Sequence, residues 1–281
     1  MQVVEFGIIN SKVEMSNQQK VFPLFEHSLD APSAFTPESL LEAVRVERSL
    51  PQDPVPEICV LEFDGDLTDW LVATGQATKW RPWACFHTSM ERVEVDGHPI
   101  GVIARTIGGP YAVLVAEQLA TSGARIILGL TSAGQVSPGL KIPSLVVPTK
   151  ALRDEGTSYH YLPAAETVDG DVDLATVLQD ELSDLDSPVV TGTVWTTDAP
   201  YRETSEQLER HARNGILAVE MQAASLFAFG AARGVRCGVV AHVTNGVDHS
   251  SEDQFDKGSH QLGFEILKAM SRAGRRCLQD R

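Results

Sequence analysis

The run ILAVEMQAASLFAFGAARGVRCGVVAHVTN, from Ile216 to Asn245, restricts the fold of this chain more than any other. Ile216–Val219 is apolar and rich in branched side chains, as a buried strand is. From Ala223 onward, small and apolar residues cover every side of the next segment, so its helix is expected to be buried. Gly234 stands where a C-cap glycine stops a helix. Val235–Val243 is a second apolar run. A buried strand, helix and strand in succession imply a layered α/β structure with both sheet faces covered. Hydrophobicity does not explain Glu220, where the first strand gives way to the helix. A carboxylate among apolar groups carries a heavy desolvation cost unless it finds partners. Ligands of open α/β sheets sit at strand ends. A sugar with several hydroxyls would suit Glu220 and Gln222 there.

The alternation extends over most of the chain. Residues 1–54 read as an extension and residues 55–281 as the main domain. Thr36-Pro37-Glu38 is a helix start, with a capping hydroxyl, proline at the first position and an acid in the first turn. Ser39–Arg48 continues it on an amphipathic face. The core begins with a strand at Ile58–Phe63. Arg92–Val95 and Pro99–Arg105, joined by Asp96-Gly97, form a hairpin. A helix is expected over Tyr111–Ser122, a strand over Arg125–Leu130, and a glycine and hydroxyl turn at Thr131–Gly134. Further strands fall at Ser144–Pro148 and Val189–Trp195. A surface helix is expected over Val172–Leu185, an exposed one over Glu203–Asn214, and a last helix within Gln254–Leu278. Strands alternating with helices give a mostly parallel or mixed sheet between helical layers.

Composition narrows the partners. The net charge of −15 opposes nonspecific nucleic-acid binding, whose affinity comes largely from Lys and Arg. A small local anion pocket is compatible with it. No apolar run approaches the ~20 residues a spanning helix requires. The start, MQVVEFGIIN, carries Glu5 and no basic leader, so no secretory signal is expected. Cys59, Cys85, Cys237 and Cys277 are widely spaced, which disfavours zinc or redox chemistry. Cys59 and Cys237 lie in apolar strand-like runs and read as small buried hydrophobes of a cytoplasmic protein. Asp248, His249, Asp253, Asp256 and His260 match no metal motif, so no metal is expected and a solvated helix start is preferred.

Five motifs together carry a family resemblance. Val219-Glu220-Met221-Gln222-Ala223 resembles the Val-Glu-Met-Glu-Ala signature of the nucleoside phosphorylase superfamily, which includes uridine and purine nucleoside phosphorylases and related nucleosidases. Thr106-Ile107-Gly108-Gly109-Pro110, Thr131-Ser132-Ala133-Gly134, the segment Arg153–Tyr161, and Thr197-Asp198-Ala199-Pro200-Tyr201 follow in the same order as in that family. The resemblance covers Glu91 to Asn245. It implies an α/β fold, a three-layer αβα sandwich with a central mixed, partly barrel-like sheet. It also implies cleavage of a nucleoside by inorganic phosphate, with no cofactor, in a homo-oligomer.

Residue roles follow from the resemblance. Glu220, Met221 and Gln222 would hold the sugar, with Gln222 in place of the family's second acid. An amide still hydrogen-bonds hydroxyls but supplies no charge beneath an oxocarbenium ion. Trp195, Asp198 and Tyr201 would line the base pocket, and an aromatic face stacks well on a heterocycle. Thr244 and Asn245 resemble the Thr-Asn of trimeric purine enzymes, where Asn245 would bond a purine edge. His160 would approach the sugar or base. Thr131, Ser132, Gly108 and Gly109 would cradle phosphate through backbone N–H groups and hydroxyls.

Bland readings stand beside these. Glu220 can be an ion-paired structural acid, Met221 a core residue, Asn245 a turn former, and the glycine turns simple loop closures. Arg153 and Asp154 can pair with each other, and a lone His160 can be structural. The chain also departs from the family's phosphate arginines. Gly65-Asp66-Leu67-Thr68-Asp69 has an acid where Gly-Asp-Pro-x-Arg has arginine, and a second arginine falls near Gly129. A third falls near Phe86 or His87. Arg105 and His87 are the available substitutes, although Arg105 can equally be a surface charge. Hydrolysis by water and a nucleoside-binding sensor remain alternatives to phosphorolysis.

Overall fold

A computed structural model describes residues 22–246 and 259–279. The Thr36 side chain accepts from the Ser39 amide at 3.4 Å and opens α1 (Pro37–Arg48). Leu41 and Val44 of this helix are buried with Ala84. The main sheet begins at β1 (Ile58–Glu62), followed by α2 (Asp66–Ala73) and β2 (Ala77–Lys79). The hairpin is β3 (Glu91–Val95) and β4 (His98–Ala104). Asp96 and Gly97 have φ of 52° and 76°, the double positive of the tight turn that matches strand twist.

After α3 (Gly109–Thr121), strand β5 runs from Ile126 to Gln135. It therefore passes straight through Thr131–Gly134, where the sequence suggests a turn. The reason is long-range pairing: Thr131, Ser132, Ala133 and Gly134 lie opposite Ala241, His242, Val243 and Asn245 of β10 (Arg236–Gly246). Between them come β6 (Ser144–Asp154), β7 (Thr167–Asp169), α4 (Val172–Leu182), β8 (Val189–Thr197), α5 (Ser205–Arg213), β9 (Ile216–Glu220) and α6 (Ala223–Arg233). Helix α7 (His260–Gln279) ends the described chain. Strand β6 is longer than expected and includes Arg153 and Asp154. Strands β2 and β7 have three residues each, too short for alternation to reveal.

The strand order is β10-β6-β8-β9-β5-β1-β4-β3-β2, with β7 beside β6. Because β10 also pairs with β5, the strands β5, β9, β8, β6 and β10 close into a barrel. Parallel ladders join β1 to β4 and β5, and β6 to β8. One side is covered by α3 and α6, through Val115, Leu119, Leu226 and Phe229. The other is covered by α2, α4 and α7, through Leu71, Leu178, Leu267 and Met270. The result is the mixed, partly barrel-like sheet in a three-layer sandwich that the sequence implies. Helix α4 is not a free surface helix, since Leu174, Ala175, Leu178 and Leu182 are buried. Helix α6 is buried from Ala223 to Gly230, as its composition requires. The four cysteines are buried and unbridged. Among the described residues, no helix is long and apolar enough to cross a membrane.

Helices α3 and α6 meet at Gly109. A Cβ there would lie 2.1 Å from Ser225 Oγ. Gly109→Ala is expected to destabilise the protein by about 1–3 kcal/mol through overpacking. Urea unfolding measures this, and an unchanged midpoint would show that the contact relaxes freely.

Candidate active site

Strands β5, β9 and β10 end together around a cavity of about 570 Å³. Glu220 is the last residue of β9 and is 4% exposed. Its carboxylate accepts from Thr196 Oγ1 at 2.5 Å and from the amides of Gln222 and Ala223 at 2.6 and 2.8 Å. Thr196 Oγ1 in turn accepts from the Ala224 amide at 3.0 Å. These amides open α6 and have no partner within the helix. Glu220 thus caps α6 with its side chain. Its partners here are a hydroxyl and two amides, where the structural reading of the sequence expected an ion pair. Burial raises its pKa to about 7, against the pull of these hydrogen bonds.

The next two residues continue the wall. Met221 is half-buried and Gln222 is buried. Gln222 Oε1 accepts from the Met221 amide at 3.2 Å and from Thr131 Oγ1 at 3.4 Å. Thr244 lies in a register shift of the β5–β10 ladder, and Asn245 follows it. Such a bulge re-aims side chains at a strand end. Thr244 Oγ1 donates to Asn245 Oδ1 at 3.3 Å. Thr131, Ser132, Thr244, Asn245, Glu220, Met221 and Gln222 all line this one cavity, and the wholly exposed Tyr201 stands on its rim.

The other expected residues lie elsewhere. Trp195 is 1% exposed and donates from Nε1 to Asp154 at 2.9 Å, with its ring against His211. It is core, because β8 turns that side chain away from the cavity toward Val136, Ile216 and Val219. Asp198 accepts from the Gly156 amide at 2.9 Å. It shares with His160 and His87 a different cavity of about 660 Å³, between α1 and α3. His160 stacks there on His27 at 4.6 Å. Arg105 has φ of 61° and forms a two-point ion pair with Asp69. It faces a third cavity, again with His87. Gly108 and Gly109 form the start of α3, and Gly109 is required by the Ser225 contact. Arg153 does not pair with Asp154. It donates to Ser158 Oγ and to the carbonyls of Leu162 and Pro163.

Two acids of the cavity escape the sequence reading. Asp64 lies just beyond β1 and accepts from the Ser132 amide at 3.1 Å and from Ser132 Oγ at 3.0 Å. The rule that singles out Glu220, an acid at a strand end, applies equally to Asp64. Glu203 is half-buried, and burial raises its pKa to about 7. It reads in sequence as the start of an exposed helix, so no local signal marks it. Among the described residues, Arg, Lys and His are absent from this cavity's lining.

Glu62, Asp64 and Asp66 each bring one oxygen within 4.8 Å of the others. Carboxylates in such a group are donors of the kind hard cations take. Glu62 already accepts from the Gly65 amide at 2.7 Å and from the Thr68 hydroxyl at 2.8 Å. Of the acids and histidines considered for a metal, Asp248, His249, Asp253 and Asp256 lie outside the described residues. His260 opens α7 and stacks on Trp70 at 5.9 Å.

Comparison with known proteins agrees with this architecture. The model of the phosphorylase superfamily matches residues 57–274. A guanosine phosphorylase of Halorubrum lacusprofundi is 30% identical over 148 residues, 53% of this chain and 61% of the relative. A uridine phosphorylase of Escherichia coli is 27% identical over 166 residues, 54% of this chain and 66% of the relative. A uridine phosphorylase of Thermococcus kodakarensis is 28% identical over 204 residues, 64% of this chain and 73% of the relative. The chain thus spans just under two thirds of the length of the first two relatives. With its barrel-bearing sheet and a match over most of its length, the chain belongs to the phosphorylase superfamily.

Proposed function

We propose that the cavity at the ends of β5, β9 and β10 cleaves the N-glycosidic bond of a nucleoside, as a pentosyltransferase without a cofactor. The observation that carries this reading is that Glu220, Met221 and Gln222 line one cavity together with Thr244 and Asn245. Gln222 and Thr131 offer neutral hydrogen-bonding groups to sugar hydroxyls, and Met221 an apolar surface for the ring. Asn245 offers an amide to the edge of a base. Glu203 and Tyr201 extend the same cavity toward a heterocycle. The main-domain reading of residues 55–281, a cytoplasmic setting and a homo-oligomer belong to the same proposal. Exposed Phe35 and Leu114, beside one cavity, support assembly, which sedimentation would test.

The relatives are named phosphorylases, which favours phosphate as the attacking group and a pentose 1-phosphate as product. The absence of a cation from the described lining favours water instead. Chromatography of a panel of purine and pyrimidine nucleosides, incubated with and without phosphate, separates the two. Base release from none of them would leave a nucleoside-binding sensor.

Glu220 stabilises an oxocarbenium ion only as the carboxylate. With its pKa raised from 4.5 to about 7, the folded state binds this proton more tightly than the unfolded chain does. Its contribution to stability is therefore complete below pH 4.5 and lost as pH rises through about 7. Turnover that needs the carboxylate should rise across the upper part of that window. Glu220→Gln keeps acceptors for the α6 amides. It is expected to flatten both profiles and to lower turnover by about 10²–10³-fold, the scale of one lost electrostatic contact. Melting curves and rates from pH 5 to 8 measure this, and a variant as fast as the parent would remove Glu220 from the mechanism. Glu220→Ala is a poorer probe, because it strands buried donors at about 1–3 kcal/mol each.

A further inference from the structure

The first turn of α6 is held by side chains at the ends of three strands. Glu220, the last residue of β9, accepts from the amides of Gln222 and Ala223. Thr196 of β8 accepts from the Ala224 amide at 3.0 Å. Glu155, just past β6, accepts from Ser225 Oγ at 2.6 Å. Residues 222 to 225 thus each donate a hydrogen bond to one of these side chains. The ladders set the three in place, because Arg153 pairs with Thr196 and Thr196 with Glu220, and Glu155 follows two residues after Arg153.

Glu155 also fastens the turn that follows it. Both of its oxygens accept from the Ser158 amide, at 3.3 and 3.0 Å, and Arg153 donates from Nε to Ser158 Oγ at 2.7 Å. Helix α3 closes on the same point. A Cβ on Gly109 would lie 2.1 Å from Ser225 Oγ and 3.4 Å from Thr157 Oγ1. Ile107, two residues earlier, lines the cavity with Glu220, Met221 and Gln222. Glu155 and Ser225 are both buried. A neutral acceptor would satisfy the Ser225 hydroxyl, yet the chain keeps a carboxylate there against its desolvation cost. Burial raises the pKa of Glu220 and of Asp198, and the charge of Glu155 adds to the rise in both. Asp154 acts on Asp198 in the same sense, while Arg153 and Tyr159 lie within the field of Glu155. Asp64, Tyr201 and Glu203 line the cavity beside Glu220.

We propose that Glu155 is a positioning residue for Glu220: through Ser225 it fixes the first turn of α6, and with it the wall of Glu220, Met221 and Gln222. The inference rests on the reading of the cavity as a nucleoside-cleaving site. Glu155 is outside the cavity lining and acts on that wall in two separable ways. Its oxygen holds the helix start, which a glutamine oxygen can also do. Its charge disfavours a second carboxylate nearby, which a glutamine cannot do. Loss of that charge therefore lets Glu220 stay ionised to lower pH.

The experiment uses the full chain and a panel of purine and pyrimidine nucleosides with phosphate present. Base release is measured from pH 5 to 8, at a temperature where circular dichroism shows each variant folded. Glu155→Ala is expected to lower turnover about 10–10²-fold, the scale of a displaced reacting group. Glu155→Gln should recover most of that loss, with the acid limb of its rate profile displaced to lower pH than the parent's. A merely structural role would lower the melting temperature and leave that limb where it was. Ser225→Ala should slow turnover on the same scale as Glu155→Ala. The double alanine variant should be no slower than the slower single one, because both changes break one contact. If Glu155→Ala fails to fold, Ser225→Ala and Glu155→Gln decide. Parental turnover in folded Ser225→Ala, an unmoved acid limb in Glu155→Gln, or losses that add in the double variant would each overturn the inference while leaving nucleoside cleavage intact. Release from no nucleoside by the parent would sink the cleavage reading and this inference together.

Discussion

The parallel ladder between β5 and β10 is the interaction on which the rest depends. It runs from Ile126 opposite Arg236 to Gln135 opposite Gly246. Without it the sheet would be open, and the end of β10 would have no reason to meet those of β5 and β9, which pair with each other. With it the five strands close, and Thr244 and Asn245 join the cavity lined by Thr131 and Gln222. Such a closure is costly in chain entropy and forms only when apolar burial on both faces repays it. The two helical layers provide that burial through the cores under α3 and α6 and under α2, α4 and α7. The site is therefore a consequence of the barrel, assembled from strands that are distant along the chain.

The chain uses one local device twice. At the end of β1, Glu62 accepts from the Gly65 amide and from the amide and hydroxyl of Thr68, and α2 begins there. At the end of β9, Glu220 accepts from two amides and a hydroxyl, and α6 begins there. In both, a strand-end carboxylate satisfies donors that the following helix leaves without partners. In both, burial holds the pKa above the ordinary carboxylate range. Glu62 spends its oxygens on the turn. Glu220 lies on the wall of the larger cavity, so the same residue shapes the helix start and lines the cavity. On the proposed reading, stability and chemistry there would share one group and could not be tuned separately.

The layered fold was legible because buried strands and helices differ in length and in their flanking signals. The Thr36 cap, the Asp96-Gly97 hairpin and the all-round apolar character of α6 are local facts, and local structure follows them. Thr131–Gly134 misleads because glycine, serine and threonine favour turns when nothing else binds them. Here β10 binds them, and that partner is invisible in the segment itself. The same limit governs the site. Glu220, Met221, Gln222, Ser132 and Asn245 share a cavity because they lie near or just past the ends of strands of one barrel. Trp195 ends in the core, and Arg105 ends on Asp69, since packing across the molecule chooses a side chain's neighbours. Asp64 carries the same signal as Glu220, an acid just past a strand end, but its place on Ser132 is set by the β1–β5 ladder, which is invisible in the segment itself.

What distinguishes this cavity is the sign of its charge. On the proposed reading, a neutral nucleoside would meet amides and hydroxyls at Gln222, Thr131, Thr244 and Asn245. Its carboxylates offer little attraction in that state, and burial raises the pKa of both Glu203 and Glu220 to about 7. As the glycosidic bond stretches, positive charge grows on the sugar, and the desolvated acids become favourable neighbours. On that reading the acidic wall would discriminate between ground and transition states, which is the condition for catalysis. An anionic attacker at such a wall would need cations supplied by residues other than those that line it among the described residues.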